Sequence, residues 1–184
     1  MNKSYRNTIE IASYANKLAG ITEVELFERH GKPVEEKEFT GLTEALERVV
    51  KELRLEKQTV AEADEDMPEN AASETDGTET GEELSYETAA VITRTADEAR
   101  AAYYILQKKL EAEGFDTKER LSLLHRDSTN FKKGLTVTTF YMAKGLEFDQ
   151  VFGVFPKKEN PMTGQAKYIC ATRALHELYM YERA

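Results

Sequence analysis

Apolar positions along the chain follow two rhythms. Ile11, Ala15 and Leu18 recur at helical spacing, as do Leu42, Leu46, Val49, Val50 and Leu53, and then Ala99, Ala102, Tyr103, Leu106 and Leu110. Each stripe predicts a helix with one buried face. The first has Asn7 as a cap, Glu10 three residues on as its capping-box partner, and Gly20 as its stop. The third is opened by Thr95 with Glu98 and closed at Gly114. Asp97-Glu98 also has the look of a Walker B acidic pair, but Arg94-Thr95-Ala96 separates it from the strand, so capping is the stronger reading. Between the stripes lie runs with strand character. Residues 23–29 alternate, and Val34 to Phe39 is expected to return after a Lys32-Pro33 turn as an edge hairpin. Ala89 to Arg94 reads as a buried parallel strand, Leu121 to Leu124 as a short one, and Val151 to Phe155 as another apolar run. Gln165 to Glu177 has a helical pattern, with Leu178 to Tyr181 as a closing strand.

Periodicity stops between these elements in one place. Residues 58–86 form an insertion rich in Glu, Asp, Thr and Ala, and its core from Ala61 to Thr80 has too little to bury to offset the entropy of ordering. Disorder is the expectation there. Its composition also resolves the charge. The chain of 184 residues carries a net −9, which by itself argues against a nucleic-acid binder. Yet eleven of its 34 acidic residues fall between Ala61 and Glu87, where there is no Lys or Arg. The 23 that remain nearly balance the 25 basic residues. Asp64-Glu65-Asp66 lacks the spacing and glycine of an EF-hand, and the single Cys170 excludes both a disulfide framework and a multi-cysteine zinc site. No metal site is expected. No apolar run approaches the roughly 20 residues that span a bilayer, and the first residues lack a signal-peptide core. A reducing, cytoplasmic setting is the expectation. His125, Arg126, Lys132 and Lys133 read as a solvated loop, with phosphate contact as the minority alternative, and Cys170 and His176 as packing residues.

Candidate chemistry gathers in Thr136 to Gln150. A β-branched and aromatic run ends at Ala143-Lys144-Gly145, where a cation and a glycine meet at a strand end, a common place for ligands in open α/β sheets. Lys-Gly alone would be a turn between strands. The full string Ala143-Lys144-Gly145-Leu146-Glu147-Phe148 resembles the A-K-G-L-E-F motif of UvrD/Rep-type superfamily 1 helicases, in the second of their two RecA-like motor domains. Ser4-Tyr5-Arg6-Asn7 is similar to the family's N-Y-R-S, and Tyr168-Ile169-Cys170-Ala171-Thr172-Arg173-Ala174 to its Y-V-A-L-T-R-A, in the family's order. Ala89 to Thr95 resembles the A-V-L-x-R-T strand that precedes the central motif, and Leu175-His176-Glu177-Leu178 is similar to the branch of helicase IV and HelD, a factor that removes RNA polymerase from stalled complexes.

The resemblance implies an α/β fold over residues 1–184: a RecA-like, mostly parallel sheet with helices on both faces and right-handed crossovers. It implies that Tyr5 stacks on the base of ATP, that Arg6 and Arg173 reach the γ-phosphate as catalytic arginines, that Glu147 contacts the ribose, and that Gly145 lets the backbone approach the nucleotide. Thr139 and Tyr141 would face single-stranded DNA, although Tyr141 stands where the family has a histidine. Stacking by tyrosine remains open. The sequence has no Walker A motif, since Gly31-Lys32-Pro33 puts proline where a magnesium-binding hydroxyl belongs, and no convincing Walker B pair. ATP and Mg²⁺ would therefore be held mostly by an N-terminal RecA-like domain of the same protein, and the chain alone would be inactive. The family's large helical subdomain looks absent or much reduced. The competing expectation is a HelD-like domain that engages RNA polymerase.

Overall fold

The computed structural model describes residues 7–22, 29–55, 85–126, 133–157 and 161–184. Six strands form one sheet in the order β1-β6-β5-β2-β4-β3, and every neighbouring pair is parallel. These are β1 (Glu35–Phe39), β2 (Thr88–Thr93), β3 (Leu121–Leu123), β4 (Gly134–Thr139), β5 (Phe148–Pro156) and β6 (Ala174–Arg183). β2 and β5 lie at the centre, which accounts for their unbroken apolar runs.

Alternate residues of these strands face two helical layers. Ala89, Val91, Leu135, Val137, Phe152, Val154, Tyr179 and Tyr181 point to α2 (Leu42–Glu52) and α3 (Ala96–Ala112). Ala90, Ile92, Val151, Phe155, Leu178 and Met180 point to α1 (Ile9–Ala19) and α5 (Pro161–Ala171). Phe140, Ala143 and Leu146 join the second layer, so the segment after β4 lies over that face. The third helix is opened by the predicted capping box, with Glu98 N donating to Thr95 Oγ1 at 3.2 Å and Thr95 N to Glu98 Oε2 at 3.1 Å. A single turn, α4 (Thr117–Arg120), precedes β3.

Several local expectations give way. Thr8, not Asn7, caps α1, accepting from Ile11 N at 3.5 Å. Glu10 is drawn instead to Gly31 N at 2.8 Å and to His30. β1 is an edge strand but not half of a hairpin, because it pairs in parallel with β6; Lys32-Pro33 lies in irregular chain before it. The last helix stops at Ala171, and Leu175, His176 and Glu177 belong to β6. A helical stripe and a half-buried strand overlap over so few residues, and the adjacent β5 ladder decides in favour of the strand. Tyr86 lies at the end of the expected insertion, yet it bridges Leu55 and is buried. Residues 23–28, 56–84 and Lys132 lie outside the described residues, as do Tyr5 and Arg6.

Gly134 gives a direct test of the β3–β4 edge. Its φ is +118°, and a Cβ there would sit 2.2 Å from the Arg120 carbonyl oxygen, which is backbone and cannot swing away. Gly134→Ala is expected to destabilise the protein by roughly 1–3 kcal/mol. Gly145→Ala, with φ +83° but nothing within 4 Å, should cost less. Urea denaturation of both variants checks this; equal losses would contradict it.

Candidate functional site

In a parallel sheet all strands begin at one edge and end at the other, and the candidate residues divide between these edges. β4 ends at Thr139, and the chain must return along the sheet before β5 can begin at Phe148. It does so in a helical turn: Ala143 N donates to Thr139 O at 3.0 Å and Leu146 N to Ala143 O at 3.0 Å. Gly145 breaks the turn at φ +83°, a left-handed conformation that glycine adopts without strain. The segment thereby delivers Leu146 and Glu147 to the edge where strands start. The expected site at a strand's carboxyl end is corrected accordingly: the second half of the motif sits at the amino edge.

Arg173 arrives at the same edge from the other direction. It occupies the two-residue turn between α5 and β6, not the helix interior expected from the sequence. The helix tightens as it ends, with Arg173 N donating to Cys170 O at 3.0 Å. Strand pairing takes over at once, with Phe148 N donating to Arg173 O at 2.9 Å. The guanidinium is held on two sides. Nη1 donates to Leu146 O at 3.2 Å, and Nε and Nη2 donate to Thr172 Oγ1 at 3.3 and 3.1 Å. Thr172 Oγ1 is itself fixed by donating to Ile169 O at 2.7 Å. These bonds use three of the five guanidinium donors. Among the described residues no carboxylate pairs with Arg173, and the neutral oxygens of Leu146 and Thr172 aim the side chain.

The start of α1 is fastened beside it. Asn7 Nδ2 donates to Ala174 O at 2.8 Å, one residue after Arg173. Arg6 and Tyr5 precede Asn7 directly in the chain. Glu147, next to Leu146 in the chain, is exposed. Asn7, Glu147 and Arg173 are thus brought together.

Thr139 and Tyr141 are not part of that group. They lie where β4 ends, about 20 Å away for a strand of six residues. Tyr141 is 61% exposed, and Lys144 Nζ lies 4.7 Å from its ring centroid. The Thr139 hydroxyl is already engaged, accepting from Met142 N at 3.3 Å.

In comparisons of structure, the chain is similar to the C-terminal domain of a possible DNA helicase from Lactobacillus plantarum WCFS1, with a TM-score of 0.59 and 18% identity, over 98% of this chain and 88% of that one. The fold is RecA-like. A second similar structure is an arterivirus nonstructural protein 10 (helicase) in complex with DNA, with a TM-score of 0.40 and 11% identity over 82% of this chain and 28% of the other. No protein-family model and no curated protein matches the sequence.

The RecA-like domain also holds polar groups that sequence reasoning passed over. Glu177, 3% exposed, accepts from Tyr86 Oη at 3.2 Å, Tyr179 Oη at 2.8 Å and Gln150 Nε2 at 3.0 Å, with Arg54 Nε at 3.7 Å. Gln150 Nε2 also donates to Glu52 O at 2.8 Å, joining α2 to the sheet. Burial and the Glu177 charge push the Tyr86 phenol up to about 12. His176, expected to be a packing residue, instead lies between Arg29 and Asp149. The available signal was a polar residue inside each apolar run: Gln150 before Val151, and Glu177 before Leu178. Cys170 is buried as expected, and its thiol is held protonated by that burial. Among the described residues no group of His, Cys, Asp or Glu is placed to hold a metal, and no helix is long and apolar enough to cross a membrane.

Proposed function

We propose that this chain is the C-terminal half of an ATP-dependent superfamily 1 DNA helicase or translocase of the UvrD/Rep type. In this reading it supplies one wall of a nucleotide site whose other wall, with a P-loop and Mg²⁺, belongs to an N-terminal RecA-like domain. The observation that carries the reading is the meeting of Arg173 with Leu146. It joins the two motifs, far apart in sequence, at one edge of the sheet.

Three features support a phosphate there. Among the described residues the guanidinium is oriented by neutral oxygens and keeps two N–H donors, and it has the planar fork that holds phosphate oxygens in pairs. Glu147 offers a carboxylate to accept from ribose hydroxyls, and Gly145, exposed and without a side chain, leaves room for the nucleotide. The bond from Asn7 to Ala174 supports a position for Arg6 and Tyr5 near the same edge. Bound ATP would supply the phosphoanhydride to be broken; the arginines would stabilise the charge that develops on the transferring group. At the opposite edge, Tyr141 and Lys144 combine an exposed ring with a cation, which suits a base and backbone phosphate of single-stranded DNA.

The chain alone, assayed with single-stranded DNA, is expected to hydrolyse ATP far below one turnover per second. A rate of about one per second is ordinary for an enzyme and would overturn the half-site reading. Binding to RNA polymerase without affinity for single-stranded DNA would shift it to a HelD-type role.

A further inference from the structure

Behind Arg173, where β5 and β6 begin, stands a set of side chains for which the nucleotide reading has no use. At their centre is His176. Arg29 Nη2 lies 2.5 Å from its Nδ1 and 3.4 Å from its Nε2, and Asp149 Oδ1 lies 3.6 Å from its Nε2. The Tyr86 ring stacks on the imidazole, with centroids 5.4 Å apart and planes 14° from parallel. Glu177, next along β6, is the remaining charged neighbour among the described residues. A guanidinium can only donate, so Nδ1, at the shorter of the two contacts, is the acceptor. The single ring proton is then on Nε2, facing Asp149. The neighbours thus assign a neutral tautomer.

Each partner comes from a different element. Arg29 O accepts from Ile9 N at 2.9 Å, which ties it to the first residue of α1. Asp149 Oδ2 accepts from Thr88 N at 3.1 Å and Thr88 Oγ1 at 2.9 Å, which ties it to the first residue of β2. His176 lies where the β5–β6 register slips: Phe148 pairs with Ala174, but Gln150 pairs with Glu177. A bulge of this kind leaves a gap in the backbone ladder, and side chains must hold the strands there. Arg173 immediately precedes Ala174, the last residue paired before the slip.

We propose that Arg29, His176 and Asp149 form a clamp that positions the Arg173 edge against the start of α1, and that it closes only when the imidazole is neutral. The role assigned to this edge rests on the nucleotide reading above; the clamp itself rests on the geometry just given. Protonating Nδ1 removes the acceptor for Arg29 and sets two cations face to face. Asp149 gains an ion pair on the far side, but this cannot restore the bond that reaches α1. Burial and the Arg29 charge hold the His176 pKa below its ordinary 6.5, against the pull of Asp149 and Glu177. A base with a depressed folded-state pKa stabilises the fold fully above its unfolded value. That contribution is lost as pH falls through the folded value.

Nuclear magnetic resonance titration of this chain tests the clamp, following the His176 ring nitrogens and the amides of Ile9, Leu146, Arg173 and Ala174. At pH 7.5 the ring is expected as the Nε2–H tautomer. Its midpoint should rise in Arg29→Met, which removes the opposing cation, and fall in Asp149→Asn, which removes the supporting anion. The Ile9 and Arg173 amides should shift with the ring's own midpoint and lose that response in His176→Phe. An Nδ1–H tautomer, a midpoint unmoved by both variants, or amides indifferent to the titration would each overturn the proposal. Millimolar Mg-ATP added at pH 7.5 to the full two-domain protein, with this domain labelled, then reports separately on the nucleotide reading. If Gly145 and Arg173 signals stay still while the pH response persists, the phosphate role fails and the clamp survives.

Discussion

Under the proposed nucleotide reading, Arg173→Lys in the full two-domain protein is expected to lower ATP turnover by roughly 10³–10⁵, the range for arginine fingers in related phosphoryl transfer. Lysine keeps the charge. It loses the planar fork and the three directed bonds to Leu146 O and Thr172 Oγ1 that aim the group. An interaction made mainly in the transition state affects kcat far more than KM. Steady-state kinetics on the full protein separates the two. A lysine variant with normal turnover, or one that raises KM alone, would remove Arg173 from the chemistry and leave it as a structural link between α5 and the loop before β5.

Phe152→Ala should produce the largest loss of stability. Phe152 lies on the central strand β5 and is fully buried. Its ring stacks on Tyr179 with centroids 4.7 Å apart and stands 6.2 Å from Tyr181, so three aromatic rings fill the space beneath α2 and α3. Truncation removes the transfer free energy of the ring and leaves a cavity between partners fixed on adjacent strands. The cost is about 3–5 kcal/mol, set against a total stability on the order of 5–15 kcal/mol. At about 2–4 °C per kcal/mol for a domain of this size, the melting temperature should fall by roughly 6–20 °C. Calorimetry checks this. A loss under about 1 kcal/mol would mean that the layer can collapse onto the gap.

The helices and strands that bury a face were legible because burial imposes a period, and the period survives in the sequence. The Ile11, Leu46 and Leu106 stripes and the apolar runs of β2 and β5 are of this kind. Boundaries were less legible where two local preferences were close in strength. Asn7 and Thr8 are both good caps, and neither sequence nor spacing separates them. Thr8 takes the role because Asn7 is called to Ala174 O, a bond between residues 167 positions apart. Leu175 to Glu177 could continue a helix, but the β5 strand was waiting to pair with it.

By itself the sequence determined that the chain alternates helices with buried strands, that its acidity is concentrated in one tract, and that its motifs resemble those of a helicase's second motor domain. These are properties of composition, period and short strings, which need no partner to be read. Only the tertiary structure decided which edge of the sheet each residue serves. A parallel strand must be entered from the same side every time, so the segment after Thr139 had to cross the sheet before Phe148 could pair. That return carries Glu147 to Arg173 and leaves Tyr141 on the far side. The same constraint brings Arg29, Asp149 and His176 together. None of them stands out in the sequence, where His176 reads as a packing residue, because what gives each a role is a neighbour far along the chain.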